Sequence, residues 1–160
     1  MRQRFLLDEN ILFHAVRGVD RHNNRDETAT RLIYTIVQVC YVIAIHDVVR
    51  IRYLRKLNEL RQERSPSLAP TYVFNQLLKR ADKRIFQYDE LPSLPAGTAV
   101  PRKDEFLVQA ALISRPIIVT ADDKLRDSIR NQPALGLTAL SPQEALEYIE
   151  ENQGTNDPVG

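Results

Sequence analysis

Asp8, Asp104 and Asp122 are the residues of this chain whose type and spacing suit a reaction. Asp8 ends the apolar run Arg4–Leu7, and Asp122 follows the β-branched run 117–120. Asp104 opens a helical pattern in which Leu107, Val108 and Ala111 share one face. That face must turn to the core, whereas surface acids point away from such a stripe. Carboxylates gathered in one place repel, and each becomes harder to ionise without a compensating cation. A hard divalent ion, Mg2+ or Mn2+, resolves the repulsion with a few carboxylates and waters. Such an ion orients and acidifies water and neutralises the charge developing on a phosphodiester. Taken singly each acid has a plainer role: Asp8 ending a strand, Asp104 facing a helix dipole, Asp122 or Asp123 capping a helix.

The elements that must position these acids follow from the apolar pattern. Strands are expected at Arg4–Leu7, 41–45, 85–88, 117–119 and 137–140. Between them the pattern predicts helices at 10–16, ended by Gly18, and at 27–38, with Asp26 or Thr28 as cap. Further helices are expected at 48–64, at 71–83 with Thr71 as cap, at 104–114 and at 123–131. A last helix starts at Ser141-Pro142, where Glu144 completes a capping box with Ser141. The stretch 91–101 holds three prolines and a glycine and reads as a loop. Short apolar strands without period-two alternation, separated by helices, imply a three-layer α/β/α sandwich around a central parallel sheet of four to five strands. Right-handed crossovers put every strand's carboxyl end on one edge, where such folds bind ligands. Residues 1–151 are expected to form a single domain, and 152–160 a disordered tail.

The chain has 160 residues, a formal charge of +1 and 43% apolar residues, which excludes a disordered chain. Its longest nearly uncharged run, 32–45, is too short and interrupted to span a bilayer, and no signal peptide is visible. The single Cys40 forms no internal disulfide and reads as a small buried hydrophobe in a reduced, cytoplasmic compartment. Near-neutrality conceals segregation of charge. Residues 50–84 carry ten basic and three acidic side chains, a local charge of +7. Arg52, Arg55 and Lys56 share a helical face, and Lys79, Arg80, Lys83 and Arg84 cluster further on. Such groups hold phosphate backbones, Tyr53 and Tyr72 would add stacking for single-stranded bases, and RNA is the partner this implies. An acidic protein segment would suit the same patch. His14, His22 and His46 lack the pairing of a zinc site, although His46 at a strand end would be placed to touch a ligand. Valine and isoleucine side chains on the early helices are candidates for a homodimer contact.

Three segments carry a resemblance to a known family. Leu6-Leu7-Asp8-Glu9-Asn10-Ile11-Leu12 resembles the opening strand motif of PIN-domain proteins, in which an acid is followed two residues later by Asn. Asp104-Glu105-Phe106-Leu107-Val108-Gln109-Ala110-Ala111 is similar to that family's later helix, and Ile118-Val119-Thr120-Ala121-Asp122 to its strand ending in Thr-x-Asp. Element order and spacing agree over about residues 3–140. The resemblance implies a metal-dependent ribonuclease fold, frequently the toxin half of a toxin–antitoxin pair and frequently dimeric. It implies that Asp8, Asp104 and Asp122 hold Mg2+ or Mn2+, that Asn10 and Thr120 brace them, and that Asp123 is an additional acid.

The pattern departs at one place. The family commonly carries another acid on the helix after the second strand, where this chain has Arg52. A fixed cation there would compete with the metal. Asp47, at the start of that helix, is the better substitute, and Glu59 lies two turns too far along. The departure supports a second reading, a catalytically degenerate PIN-like domain that binds RNA or protein. A third, a phospho-receiver with Asp8-Glu9 and Thr120, lacks a suitable aspartate at the end of a central strand.

Overall fold

The alternating pattern resolves, in a computed structural model describing residues 3–153, into a five-stranded parallel sheet of order β3-β2-β1-β4-β5. The strands are β1 (Arg4–Leu7), β2 (Val42–His46), β3 (Arg84–Gln87), β4 (Ile117–Val119) and β5 (Ala139–Leu140). All of β2 and β4 and three of the four residues of β1 are buried. Consecutive buried residues point to opposite sides of a strand, so helices cover both sheet faces, as expected for parallel pairing. The α/β architecture read from the pattern is the one observed.

The helices are α1 (Glu9–Arg17), α2 (Thr28–Gln38), α3 (Asp47–Leu60), α4 (Pro70–Val73), α5 (Glu105–Ser114), α6 (Asp123–Arg130) and α7 (Pro142–Gln153). The capping box is present: Ser141 N–H donates to Glu144 Oε1 at 3.1 Å, and Glu144 N–H to Ser141 Oγ at 3.1 Å. Residues 91–101 contain neither helix nor strand. Three local expectations differ. The helix expected from Thr71 starts at Pro70, whose ring suits the first helical position, and widens to a π-helical turn over Phe74–Lys79. His46 caps α3, its Nδ1 accepting from Val48 N–H at 3.2 Å, and Asp47, the expected substitute for the missing acid, pairs with Arg50 at 3.1 Å. The expected disordered tail is helical to Gln153, and its remainder lies outside the described residues.

Burial also redistributes the early apolar residues. Ile11 and Val16 on α1, and Ile33 and Ile36 on α2, are spent in the core. Among the described residues the exposed large apolar side chains are instead Tyr34, Ile51 and Tyr88. Cys40, expected to be buried, is exposed in the turn before β2. No helix among the described residues is long and apolar enough to cross a membrane.

Gly18 closes α1 in the left-handed region at φ 66°, donating its N–H to His14 O at 2.8 Å. A Cβ there would run into the Ser67 side chain. Gly18→Ala is therefore expected to cost about 2 kcal/mol, combining left-handed backbone strain with that collision. A lowered denaturant midpoint at unchanged slope is the readout.

Candidate functional site

The strand order reverses at β1. From it the chain steps outward to β2 and β3 on one side, and β4 and β5 fill the other. The crevice beyond the carboxyl ends of β1 and β4 is the switch point where such folds bind ligands. Leu7 pairs with Val119 there, and Asp8 N–H continues the ladder to Val119 O at 2.9 Å. This register makes Asp8 and Thr120 neighbours across 112 residues of sequence.

Asp8 is 6% exposed, and its Oδ2 accepts from Thr120 Oγ1 at 2.7 Å and Asn10 Nδ2 at 3.1 Å. Thr120 Oγ1 also accepts from Asp122 N–H at 3.1 Å, and Asn10 Oδ1 from Ala121 N–H at 3.5 Å. Asn10 and Thr120 thus link the β1–α1 junction to the turn before α6. Tyr53, fully buried on α3, donates its hydroxyl to Leu7 O from beneath. Burial pushes the Asp8 carboxyl up to about 6. The Thr120 bond opposes that shift, and the like charges of Asp104 and Glu9 add to it.

Asp104 ends a 3-10 turn, Arg102–Asp104, at the N-cap of α5. It caps nothing: no helix amide reaches its side chain, and its buried Oδ2 has no hydrogen-bond partner. Leu107, Val108 and Ala111 below it are buried, as the helical pattern requires. Its carboxyl is raised by burial and by the charges of Asp122 and Glu9, against the pull of Lys103 and Arg52. A buried acceptor without a partner is costly, and a cation would satisfy it.

Asp122 lies at the same edge with its oxygens already engaged. Oδ1 accepts from Lys124 N–H at 2.9 Å and Leu125 N–H at 3.3 Å, capping α6. Oδ2 lies 3.4 Å from Lys103 Nζ. Burial pushes this carboxyl up, but the Leu125 amide and Lys103 outweigh it, and the net shift is downward. Asp123 turns away, pairing with Arg21 and Arg126. Among the described residues no group of three or more His, Cys, Asp or Glu side chains is assembled to hold a metal ion. The donor set that fits is the pair Asp8 and Asp104. Two carboxylates suffice for Mg2+, which keeps waters and substrate oxygens as its other ligands.

Arg52, the departure in the sequence, lies at the rim of this edge. Its guanidinium sits 3.8 Å above the Phe106 ring and 3.6 Å from Glu9 Oε1. Glu9, Lys103 and Phe106 are thus site neighbours missed in the sequence, although Glu9 and Lys103 adjoin acids already singled out. His46 is occupied structurally: Nδ1 accepts from Val48, which leaves Nε2–H to donate to Asp89 O at 2.7 Å.

The basic residues divide. Arg55 lines a surface groove of about 430 Å³ with Arg61, and Lys56 pairs with Glu59 at 3.1 Å. Lys79 lies 5.3 Å from the Phe74 ring, and Arg80 pairs with Asp82 at 2.6 Å. Lys83 leaves the patch: it is buried, and its Nζ donates to Ile36 O at 3.0 Å and to Val39 O. It therefore ties down the carboxyl end of α2. Arg84 lies over Phe86 at 4.0 Å, and Phe86 is 6.0 Å from the exposed Tyr88. These three side chains stack on one another along the edge strand β3 and just past it, whereas Tyr53, expected as a stacking ring, is itself buried. Tyr72 packs against Tyr34 at 5.3 Å.

No protein-family model matches the chain, and no curated protein matches it. Among solved structures it is similar to a PilT N-terminus (PIN) domain protein from the hyperthermophilic archaeon Sulfolobus solfataricus P2. The likeness covers 91% of this chain and 92% of that one, at 12% identity and a TM-score of 0.50. The chain has the fold of a PIN domain.

Proposed function

We propose that this protein is a divalent-metal-dependent endoribonuclease of PIN type. The observation that carries the reading is the pair Asp8 and Asp104 at the switch point, one braced and the other left with a buried oxygen lacking any partner. These two carboxylates would hold Mg2+ or Mn2+. When bound, that ion supplies an acidified water and neutralises charge developing on the phosphodiester. The chain's own groups do the rest. Thr120 and Asn10 fix the Asp8 oxygen on one rotamer, and Tyr53 anchors the strand end behind it. Lys103 presents an ammonium at the same edge, suited to a phosphate oxygen. Arg52, Arg55 and Lys56 on α3 supply cations along which the backbone of single-stranded RNA would run, and Tyr88, exposed just past the carboxyl end of β3, adds a base-stacking ring, whereas Lys79, Arg80 and Arg84 lie towards the amino edge of the sheet. The resemblance extends this reading to a toxin whose antitoxin covers the basic face, and to a homodimer, in a cytoplasmic setting.

The test is cleavage of single-stranded RNA by purified protein with Mn2+ or Mg2+. Cleavage is expected to vanish in EDTA and to fall at least a hundredfold in Asp104→Asn. Second-sphere partners of a metal alone are worth ten- to a hundredfold, and a ligand is worth no less. Cleavage by Asp104→Asn at the wild-type rate would overturn the assignment.

One observation favours a second reading, a PIN-like binding domain without catalysis. Asp122 is neutralised by Lys103, and Arg52 occupies the rim where the resembled family carries an acid. RNA retention with no calorimetric uptake of Mn2+ at millimolar concentration would select it.

A further inference from the structure

A second cavity, of about 330 Å³, opens beside the carboxylate edge and is not used by the chemistry above. Its place is set by two of the elements that build the site. Ala121, the residue between Thr120 and Asp122, forms one wall, and His14, one helical turn beyond Asn10 on α1, forms another. Val19, Ala29 and Pro142 supply apolar surface, and the cavity exceeds the lower bound for small-molecule sites.

The charged groups around it are already engaged, the arginines in ion pairs and the aspartates as hydrogen-bond acceptors. Arg21 and Arg126 both pair with Asp123, and Arg126 also donates to Thr120 O at 2.7 Å. Asp20 Oδ1 accepts from His22 and Asn24 N–H groups at 2.8 and 2.9 Å, and Asp26 Oδ1 from Thr28 N–H at 2.8 Å. An anion would have to break the arginine pairs, and among the described residues no group of three or more acids, His or Cys is assembled here for a metal. His14 is the exception. It is only 9% exposed, touches Phe13 edge-on, and has no side-chain hydrogen bond among the described residues. Burial holds its ring below the ordinary range against the pull of Asp20 and Asp26. A neutral imidazole offers one donor and one acceptor, and the His14 ring nitrogens, engaged by no protein group among the described residues and not sealed from the cavity, are open to an occupant's polar edge. The occupant that matches apolar walls, arginines already paired and one unpaired donor–acceptor ring is flat, without net charge on its ring and polar-edged.

We propose that this cavity is a nucleobase subsite, receiving the base next to the phosphodiester addressed by Asp8 and Asp104, with His14 reading its edge. The inference deepens the ribonuclease reading and rests on it for the identity of the ligand, single-stranded RNA. Its consequence is a base preference beside the cleaved bond, set by one hydrogen-bonded position and worth about tenfold between accepted and rejected bases.

The experiment uses the full chain in EDTA, titrated with each of the four nucleoside 5′-monophosphates while the His14 ring resonances are followed. Saturable His14 shifts are expected, with affinities that differ about tenfold between bases. The difference is expected to vanish in His14→Ala, whose melting temperature reports whether it folds. No shift of the His14 ring at millimolar nucleotide, or the same affinity for all four bases, overturns the proposal. Mapping of cut sites in an RNA of random sequence separates the two readings. Base-selective nucleotide binding without any metal-dependent cleavage sinks the ribonuclease assignment and leaves the subsite. Cleavage whose neighbouring-base profile is the same in wild type and His14→Ala sinks the subsite and leaves the ribonuclease.

Discussion

Replacing Asp8 with Asn is expected to stabilise the metal-free protein by about 3 kcal/mol above neutral pH, while reducing RNA cleavage at least a hundredfold. The stabilisation follows from the carboxyl's displacement from 3.8 to about 6, caused first by burial and reinforced by Asp104 and Glu9. Each unit is worth about 1.4 kcal/mol of preference for the neutral form. A group raised on folding contributes its stability below the unfolded value. That contribution is lost as pH rises through the folded value. The wild-type chain therefore gives up these few kcal/mol between about pH 4 and pH 7, and the Asn variant does not. Asn keeps an oxygen for Thr120 Oγ1 and Asn10 Nδ2, so the bracing bonds survive. Thermal melts of both proteins in EDTA across that range are the measurement. The gap in melting temperature should open as pH rises and level off once Asp8 is ionised. A gap independent of pH would show that Asp8 is not held in a strained, buried ionised state. Adding Mn2+ should then stabilise the wild type by mass action and leave Asp8→Asn unmoved.

The second large effect lies far from the site. Lys83→Met is expected to destabilise the fold by about 3 kcal/mol, roughly 8 °C in melting temperature, and to leave RNA affinity within about twofold. Lys83 directs its ammonium at Ile36 O and Val39 O, the carbonyls at the exposed end of the α2 hydrogen-bond ladder. Its own carbonyl accepts from Ile43 N–H at 2.8 Å at the start of β3. A cation at a helix carboxyl end is favoured by the dipole, and charge-assisted bonds are the stronger class. Methionine keeps most of the aliphatic stem and removes the ammonium with its charge and N–H donors, leaving the two carbonyls short of a donor. Denaturation read beside an RNA-binding titration separates this role from phosphate contact. A large fall in affinity with unchanged stability would return Lys83 to the basic surface.

The order and type of the elements were legible in the chain because each rests on local rules. β-branched runs bounded by polar residues extend, Gly18 and the prolines punctuate, and Ser141 with Glu144 writes a cap. The parallel topology followed, and with it the expectation that Asp8 and Asp122 lie on one edge, which the β1–β4 register bears out. Asp104 was legible because an acid heading a core-facing stripe breaks the usual pattern.

What remained depended on which element covers which. Periodicity places a side chain on a face of its own helix or strand and says nothing of what lies against that face. Lys83 and Tyr53 therefore read as surface residues until α2 and β1 were packed onto them. Cys40 failed in the opposite direction, lying exposed in a turn although its neighbours are apolar. The division of labour among the acids was equally invisible, because all three stand at helix N-termini. Only the fold gives Asp122 the amides of Lys124 and Leu125 and the ammonium of Lys103, and denies any donor to Asp104 Oδ2. The sequence determined that acids would gather at one edge of a parallel sheet. Tertiary structure decided which of them are engaged by the protein itself and which keeps a buried oxygen without a donor, because a buried oxygen's partners come from segments as far as 112 residues away.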